Sequence, residues 1–532
     1  LLAYAQVLHD RMRFAESADA YARAFRVLDA TPAPGMPPDG SGGTVRIGQP
    51  PFPLAIDPMR DATPPCVFFQ RGLFRGLARF RADGALVPDA AASWEIAPDG
   101  RTYRFVVRDD AFWSDGAPVT AEDFRAGIVR GLLANESGVK GLQLPLTGVD
   151  AYLESGDERV LGVCAGGEKT LEITLVHPCS HLLMLLADLW RAAIPVHVIA
   201  RHGTRWSEPE HCVYSGRFVV ASLENDSAVL TRNPHYRSGG PLDGNVDEVH
   251  FTGEDDDELF AKFARAELDV VPVPRPGARR ALREFREYLQ SGPTGRQGVV
   301  IPNTNRDTMR HLNVRQALAH AIDRRDLVRR VFGGAHHPAL GGLIPPSVIG
   351  HSSGIGLGHD PERASRLLTA DDRERFANDP LMILAPDSLE ELARIVTQSW
   401  QQVLDIRCRL RTLPFVDFLE AVMTPDYDVI IGSTAAFLFP EASLHGILYS
   451  RLRQVPVPIL ATMQELEWVR ESGDMAERLE RLHELDRRFT WNALRIPLFY
   501  QNAFSLIQPW VKGFRADPFE YANFEDLHLS DH

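Results

Sequence analysis

Hydrophobic and polar positions alternate over Thr102–Val107, with Tyr103, Phe105 and Val107 on one side. A period of two predicts a half-buried strand. Short apolar or alternating runs bounded by turn residues predict further strands at Thr44–Gly48, Leu171–Leu175, Phe218–Ala221, Val249–Phe251, Leu381–Leu384 and Val429–Ile431. Apolar residues three and four apart predict helices over Ala121–Leu132, Asp256–Ala266, Val314–Phe332, Ser388–Leu404 and Ala476–Phe489. From Thr44 onward strands and helices interleave to the end, which predicts a mixed α/β architecture.

Residues 1–30 carry a different pattern. Tyr4, Leu8, Tyr21, Phe25 and Leu28 recur at helical spacing with alanines between them, predicting a short helical hairpin. Within it, Arg13–Phe25 (RFAESADAYARAF) resembles the second half of a tetratricopeptide repeat, with Ser17 and Ala24 at the small positions and Tyr21 at the aromatic one. One repeat cannot bury its own face, so this reading implies a continuation upstream of Leu1. The plainer reading is a hairpin packed on the main body. Residues 31–43 (TPAPGMPPDGSGG) are rich in Pro and Gly and read as a linker.

A chain of 532 residues is too long for one simple core. Its 44% hydrophobic and 24% charged residues are those of an ordinary globular protein. No uninterrupted apolar run reaches the roughly 18–20 residues of a membrane helix; His181–Pro195 is broken by Asp188 and Arg191. The net charge of −14 repels phosphate backbones and argues against nucleic-acid binding through this domain. Arg279–Arg286 (RRALREFR) then reads as a solvated helix face. The first 30 residues lack the basic-then-apolar order of an export leader.

Chemistry is sparse in the pattern. The five cysteines (Cys66, Cys164, Cys179, Cys212, Cys408) form no CxxC pair, which removes thiol metal and redox motifs. There is no GxSxG elbow, HExxH or phosphate-binding loop. His483-Glu484 lacks the second zinc histidine, and His336-His337 (in GGAHHPA) reads as a pair of loop residues. The acidic run Glu254–Glu258 (EDDDE) opens a helix, where negative charge complements the exposed N–H groups. No catalytic residue, metal or cofactor is implied.

Six ordered stretches do carry a resemblance. They are Leu73–Trp94 (LFRGLARFRADGALVPDAAASW) running into Tyr103–Phe124 (YRFVVRDDAFWSDGAPVTAEDF); Ala151–Leu175 with Pro195-Val196 and Gly203–Trp206; Tyr214–Tyr236, ending in Thr231–Tyr236 (TRNPHY); Phe260–Val271 (FAKFARAELDVV); Asn313–Val328 (NVRQALAHAIDRRDLV); and Arg495–Phe514 (RIPLFYQNAFSLIQPWVKGF). In the first, a strand leads to a tight turn at Ser114-Asp115-Gly116 and a helix capped by Thr120, with Asp123 at its third position. Together the six resemble the family 5 extracytoplasmic solute-binding proteins, the oligopeptide and dipeptide receptors of ABC transporters.

The resemblance implies a two-lobed, periplasmic-binding-protein-like fold of type II with an extra subdomain. On this reading residues 44–72 and 206–274 build lobe I, 73–205 its subdomain, 275–497 lobe II, and 498–532 return to lobe I. The lobes close over a solute in the cleft between them. In the peptide receptors one ligand-pairing edge precedes the first helix, here Ala62, Pro64 and Cys66 within ATPPCV. The other follows a "GW--D---P" motif, here Gly432–Ser443 (GSTAAFLFPEAS). Gly432 and Pro440 match, but Ser433 stands at the tryptophan and Ala436 at the aspartate that pairs with a peptide's ammonium. An ammonium enclosed without a counter-charge costs several kcal/mol, and Pro64 has no N–H to donate. Peptides held by a free N-terminus are therefore disfavoured. Thr434, Ala435 and Asn303 complete the candidate ligand-binding residues, and Glu441 is a possible displaced carboxylate.

Three functions compete. The first is an extracytoplasmic or periplasmic receptor handing a peptide or other small solute to an ABC permease. The second is a cytoplasmic regulator using the same domain, fused to upstream repeats or a DNA-binding module. The third, an enzyme, lacks any nucleophile–base or metal constellation.

Overall fold

The computed structural model describes residues 1–29, 43–51, 54–59, 64–80, 86–134, 144–187, 191–237, 244–273, 277–348, 350–424, 426–435, 444, 475–514 and 527–530. Its frame is one eleven-stranded mixed sheet. From one edge the order runs Cys408–Leu413, Leu381–Pro386, Val429–Ala435, Leu289–Pro302, Ile496–Ile507, Val270–Pro272, Gly43–Gln49, Val246–Gly253, Ser227–Arg232 and Phe218–Glu224. The short strand His337–Pro338 adds to Ile496–Ile507.

Two long strands carry the sheet between two cores. Leu289–Pro293 pairs antiparallel with Asn502–Leu506, and Gln297–Val300 pairs with Ile496–Tyr500. The register breaks between Pro293 and Gln297, where Pro cannot donate a ladder bond. Thr294 Oγ1 bridges that break by donating to the Gln501 carbonyl at 3.0 Å. Beyond it, Val300, Leu498 and Phe499 pack with Leu318, Ile383 and Trp400. On the near side Leu506 packs with Leu259, Phe260 and Phe263, and Ile507 joins the core of Val45, Ile47, Phe69 and Phe218. The same two strands thus run from one core into the other.

Most predicted elements appear, with shifted ends. The predicted helix Val314–Phe332 is two helices, Leu312–His320 and Arg324–Phe332. Asp323 breaks it, because its carboxylate accepts from the N–H groups of Arg325 and Asp326 and so caps the second helix. At Thr120 the reciprocal cap forms as expected: Asp123 accepts from the Thr120 N–H at 2.8 Å while Thr120 Oγ1 accepts from that of Asp123 at 3.3 Å. Gly116 takes the positive φ of 86° that its turn requires.

A separate four-stranded antiparallel sheet is ordered Ala91–Ile96, Thr102–Val107, Thr170–Thr174 and Val163–Ala165. The N-terminal hairpin, Leu2–Asp10 and Phe14–Asp29, docks on it. Tyr21 and Phe25 meet Trp94 edge-on at 5.0 and 4.8 Å. Ser17, one of the repeat-like small residues, donates instead within the hairpin, to the Ala5 carbonyl at 2.9 Å. The hairpin spends its aromatic face on the body, which is the plainer of the two readings of residues 1–30.

His9 anchors this docking and is fully buried. Its Nδ1 lies 2.9 Å from the Ser180 carbonyl, which can only accept, so Nδ1 carries the proton. Nε2 then accepts from Tyr103 Oη at 2.9 Å. Burial holds the imidazole neutral and pushes its pKa down to about 4, against a smaller upward pull from Ser180.

Candidate functional site

The strand Val429–Ala435 places Gly432, Ser433, Thr434 and Ala435 beside the far half of the first crossing strand. Gly432 pairs with Val299, Ser433 with Gly298, Thr434 with Gln297, and Ala435 with Arg296. Gln297 also faces Tyr500 on its other side. Residues opposite one another share a face, so Thr434, Gln297 and Tyr500 line one face and Ser433, Gly298 and Phe499 the other.

The first face meets a loop. Tyr500 Oη donates to the Gly342 carbonyl at 2.7 Å, and Gln297 Nε2 to that of Leu343 at 2.8 Å. Asp486, fully buried, accepts from the Leu343 N–H at 2.7 Å. Burial raises the Asp486 carboxyl to about 7, outweighing the hydrogen bonds that favour its charge. Thr434 Oγ1 and Gln297 Oε1 are buried on this face with no hydrogen-bond partner among the described residues. On the opposite face Ser433 Oγ is in the same condition. There Gly298 leaves room for the Phe499 ring, which a Cβ would strike. Native buried polar groups are nearly always paired, which makes these three groups on adjoining strands candidates for contact with a solute.

The other expected edge is different from the expectation. Pro64–Arg71 is a helix, not an extended strand. Pro64 sits at its first position, where a missing N–H costs nothing and the fixed φ suits the turn. Cys66 is fully buried within it. Phe68 and Phe69 pack on Phe251 at 5.6 and 5.7 Å, and that apolar burial selects the helix over an exposed edge. An extended ladder through Pro64 and Cys66 is therefore corrected; Ala62 lies outside the described residues.

Asn303 is buried at the end of the first crossing strand. Its Nδ2 donates to the Tyr427 carbonyl at 2.9 Å, its N–H to that of Asp428 at 2.7 Å, and its Oδ1 accepts from Asn305. These bonds tie the strand end to Tyr427, Asp428 and Asn305. Ala436 and Glu441 lie outside the described residues.

Of the histidine pair, His336 lies in a bend and His337 opens the short strand His337–Pro338. His336 is buried, stacked on Phe499 at 5.2 Å and edge-on to Phe332 at 4.5 Å, while His337 is exposed. Elsewhere, Glu208, Glu210 and His211 come together at the surface. Arg205 already pairs with Glu208 at 2.8 Å, so this is an ion-pair group.

Residues 85–451 match the bacterial extracellular solute-binding proteins, family 5. The chain belongs to this family. It is 26% identical over 502 residues to a probable deoxycholate-binding periplasmic protein, YgiS, of Escherichia coli, covering 90% of this chain and 92% of the relative. It is 25% identical over 500 residues to the periplasmic oligopeptide-binding protein OppA of the same organism, covering 90% and 91%. Among solved structures, the murein tripeptide binding protein MppA of E. coli superposes with a TM-score of 0.77 at 22% identity, covering 93% and 99%. The oligopeptide-binding protein OppAIV of Borrelia burgdorferi gives 0.79 at 23%, covering 92% and 100%. The two-lobed α/β fold is thereby shown, and this family 5 chain is a solute-binding receptor, not an enzyme. The relatives named here are periplasmic, which does not favour the regulator. No helix among the described residues is long and apolar enough to cross a membrane.

The orphaned hydroxyls had no sequence signal of their own. A Ser-Thr pair after an apolar strand reads equally well as a solvated strand end.

Proposed function

We propose that this family 5 receptor is the extracytoplasmic binding component of an ABC-type uptake system, and that it takes a solute offering neutral hydrogen-bonding groups instead of a free ammonium. The observation that carries the second part is the set at Ser433 and Thr434: buried hydroxyls without partners among the described residues, where the peptide-receptor pattern has a tryptophan and, at Ala436, a carboxylate. Hydroxyls exchange hydrogen bonds with amides, hydroxyls and carbonyls but do not offset a buried positive charge. The relatives' names span both a bile acid and peptides, so the scaffold is compatible with an amphipathic or N-blocked ligand.

The test is calorimetry and thermal shift with three probes: a free tripeptide, the same tripeptide N-acetylated, and deoxycholate. A ligand at 100 times its Kd stabilises by about 2.7 kcal/mol. The expected result is that the acetylated peptide or the bile salt binds at least tenfold tighter than the free peptide. A tenfold preference for the free amine overturns the neutral-ligand reading.

A further inference from the structure

The N-terminal hairpin touches both lobes. Its inner face is fixed to the lobe I subdomain by Trp94, Tyr103 and the Ser180 carbonyl. Phe14, just past its turn, occupies the space where a Cβ on Gly100 would be. Met12 lies in the turn itself, at a φ of 59°, and is 7% exposed. Its Sδ stands 3.2 Å from Nη1 of Arg478, which is 2% exposed.

Arg478 belongs to the other lobe. It lies on the helix Met475–Trp491, which feeds directly into the second crossing strand. Leu482, Leu485 and Phe489 of that helix pack with Leu343, Ile344 and Val348, and Asp486 holds the Leu343 N–H. The helix therefore moves with lobe II. Its first turns face the other way: Met475, three residues before Arg478, packs against the large core that contains the hairpin and the subdomain. A residue and its third neighbour share a helix face, so Met475 and Arg478 present one surface to lobe I.

We infer that the hairpin is a brace between the lobes, which holds the ligand-free receptor towards closure until the Met12–Arg478–Met475 contact parts. This rests on the two-lobed receptor reading but not on which solute is bound. The covalent path between the lobes runs through the crossing strands, whose register breaks at Pro293–Gln297. An opening rotation about that break would part the hairpin turn from the start of the lobe II helix. Opening then exposes two methionines and a buried guanidinium together. Burial of the apolar part opposes opening, so the brace biases the equilibrium towards closure. The contact is soft because a thioether adapts to its neighbour.

The test is small-angle scattering on the ligand-free full chain, which needs no knowledge of the solute. The variants Met12→Ala with Met475→Ala, and Arg478→Ala separately, are compared with wild type after circular dichroism confirms folding. The expected result is a larger radius of gyration in the methionine pair variant, with a distance distribution extended at its long end. An unchanged radius in both folded variants overturns the brace. Should either variant fail to fold, amide exchange on wild type decides. Residues 9–15 and 475–480 are expected to share one opening rate, whereas independent rates overturn the proposal. Failure of the solute reading shows up elsewhere, as the absence of binding in the three-probe experiment.

Discussion

At Thr434 the sequence and the structure speak to different questions. The sequence places a small polar residue where the family pattern continues past a tryptophan, and that much is legible from a single chain. What it does not reveal is that the Oγ1 is buried without a partner, because burial of a strand end depends on which strands flank it. Here Gln297 flanks it from 137 positions upstream (434 minus 297), and Tyr500, 66 positions downstream (500 minus 434), lies across the same face on the far side of Gln297. An unpaired buried hydroxyl costs about 1–3 kcal/mol. Thr434→Val removes that cost at nearly the same volume, so the ligand-free protein is expected to gain about 1 kcal/mol in urea denaturation. If the hydroxyl meets the solute, the same variant loses about 0.5–1.5 kcal/mol of binding, roughly two- to tenfold in Kd. Stability gained with affinity unchanged removes Thr434 from the site.

Elements were easier to read than their surroundings. The strand Thr102–Val107 is predicted and found with the same ends, because its buried side chains alternate without interruption. The helix at Pro64 was missed. The family resemblance implied an extended edge there, and only Phe68 and Phe69 against Phe251 show why a helix wins. The hairpin was legible as two helices, but its partner Trp94 was not. Its docking depends on pH through His9. In the folded chain this imidazole stays neutral down to about 4, whereas an unfolded one takes its proton near 6.5. The unfolded state thus binds more protons between those values, so stability is intact above about 6.5 and falls as pH drops towards 4. The loss is on the order of 3 kcal/mol at most. Asp10, raised to about 7 by burial, acts in the opposite sense over the same range. Comparison with His9→Gln isolates the histidine. Amide exchange over residues 2–29, corrected for intrinsic rates, is expected to show more loosening between pH 7 and pH 5 in wild type than in the variant. Equal loosening in both dismisses His9 as the cause.

For the whole molecule, the two-lobed architecture was the most legible feature, carried by ordered stretches spread from Leu73 to Phe514. The physical reason is that those stretches are caps, turns and core faces, each constrained locally and all needed at once. The cleft is less legible because ligand contacts are free to vary on a fixed scaffold. The same division governs how the molecule should unfold. Its described core falls into separate clusters, one around Trp113 and Phe218 in lobe I and one around Trp400 and Phe499 in lobe II. They are joined by two strands, the small cluster around Phe260 and the brace. Chains with distinct cores depart from two-state behaviour. Calorimetry of the ligand-free protein is therefore expected to show two overlapping transitions. Each core offers a selective probe. Asp269 is buried in lobe I and accepts from the Arg46 N–H and guanidinium and from Trp510 Nε1. Asp269→Asn leaves those donors poorly matched and should lower one transition. Trp400 is fully buried in lobe II and donates to the Leu318 carbonyl at 2.9 Å. Trp400→Phe should lower the other, since it opens a cavity and orphans that carbonyl. A single transition shifted alike by both variants would mean that the crossing strands and the hairpin couple the lobes into one cooperative unit. A saturating solute, by bridging the cleft, is expected to merge the two transitions in the wild-type protein, because each lobe then loses its ligand contacts when the other unfolds.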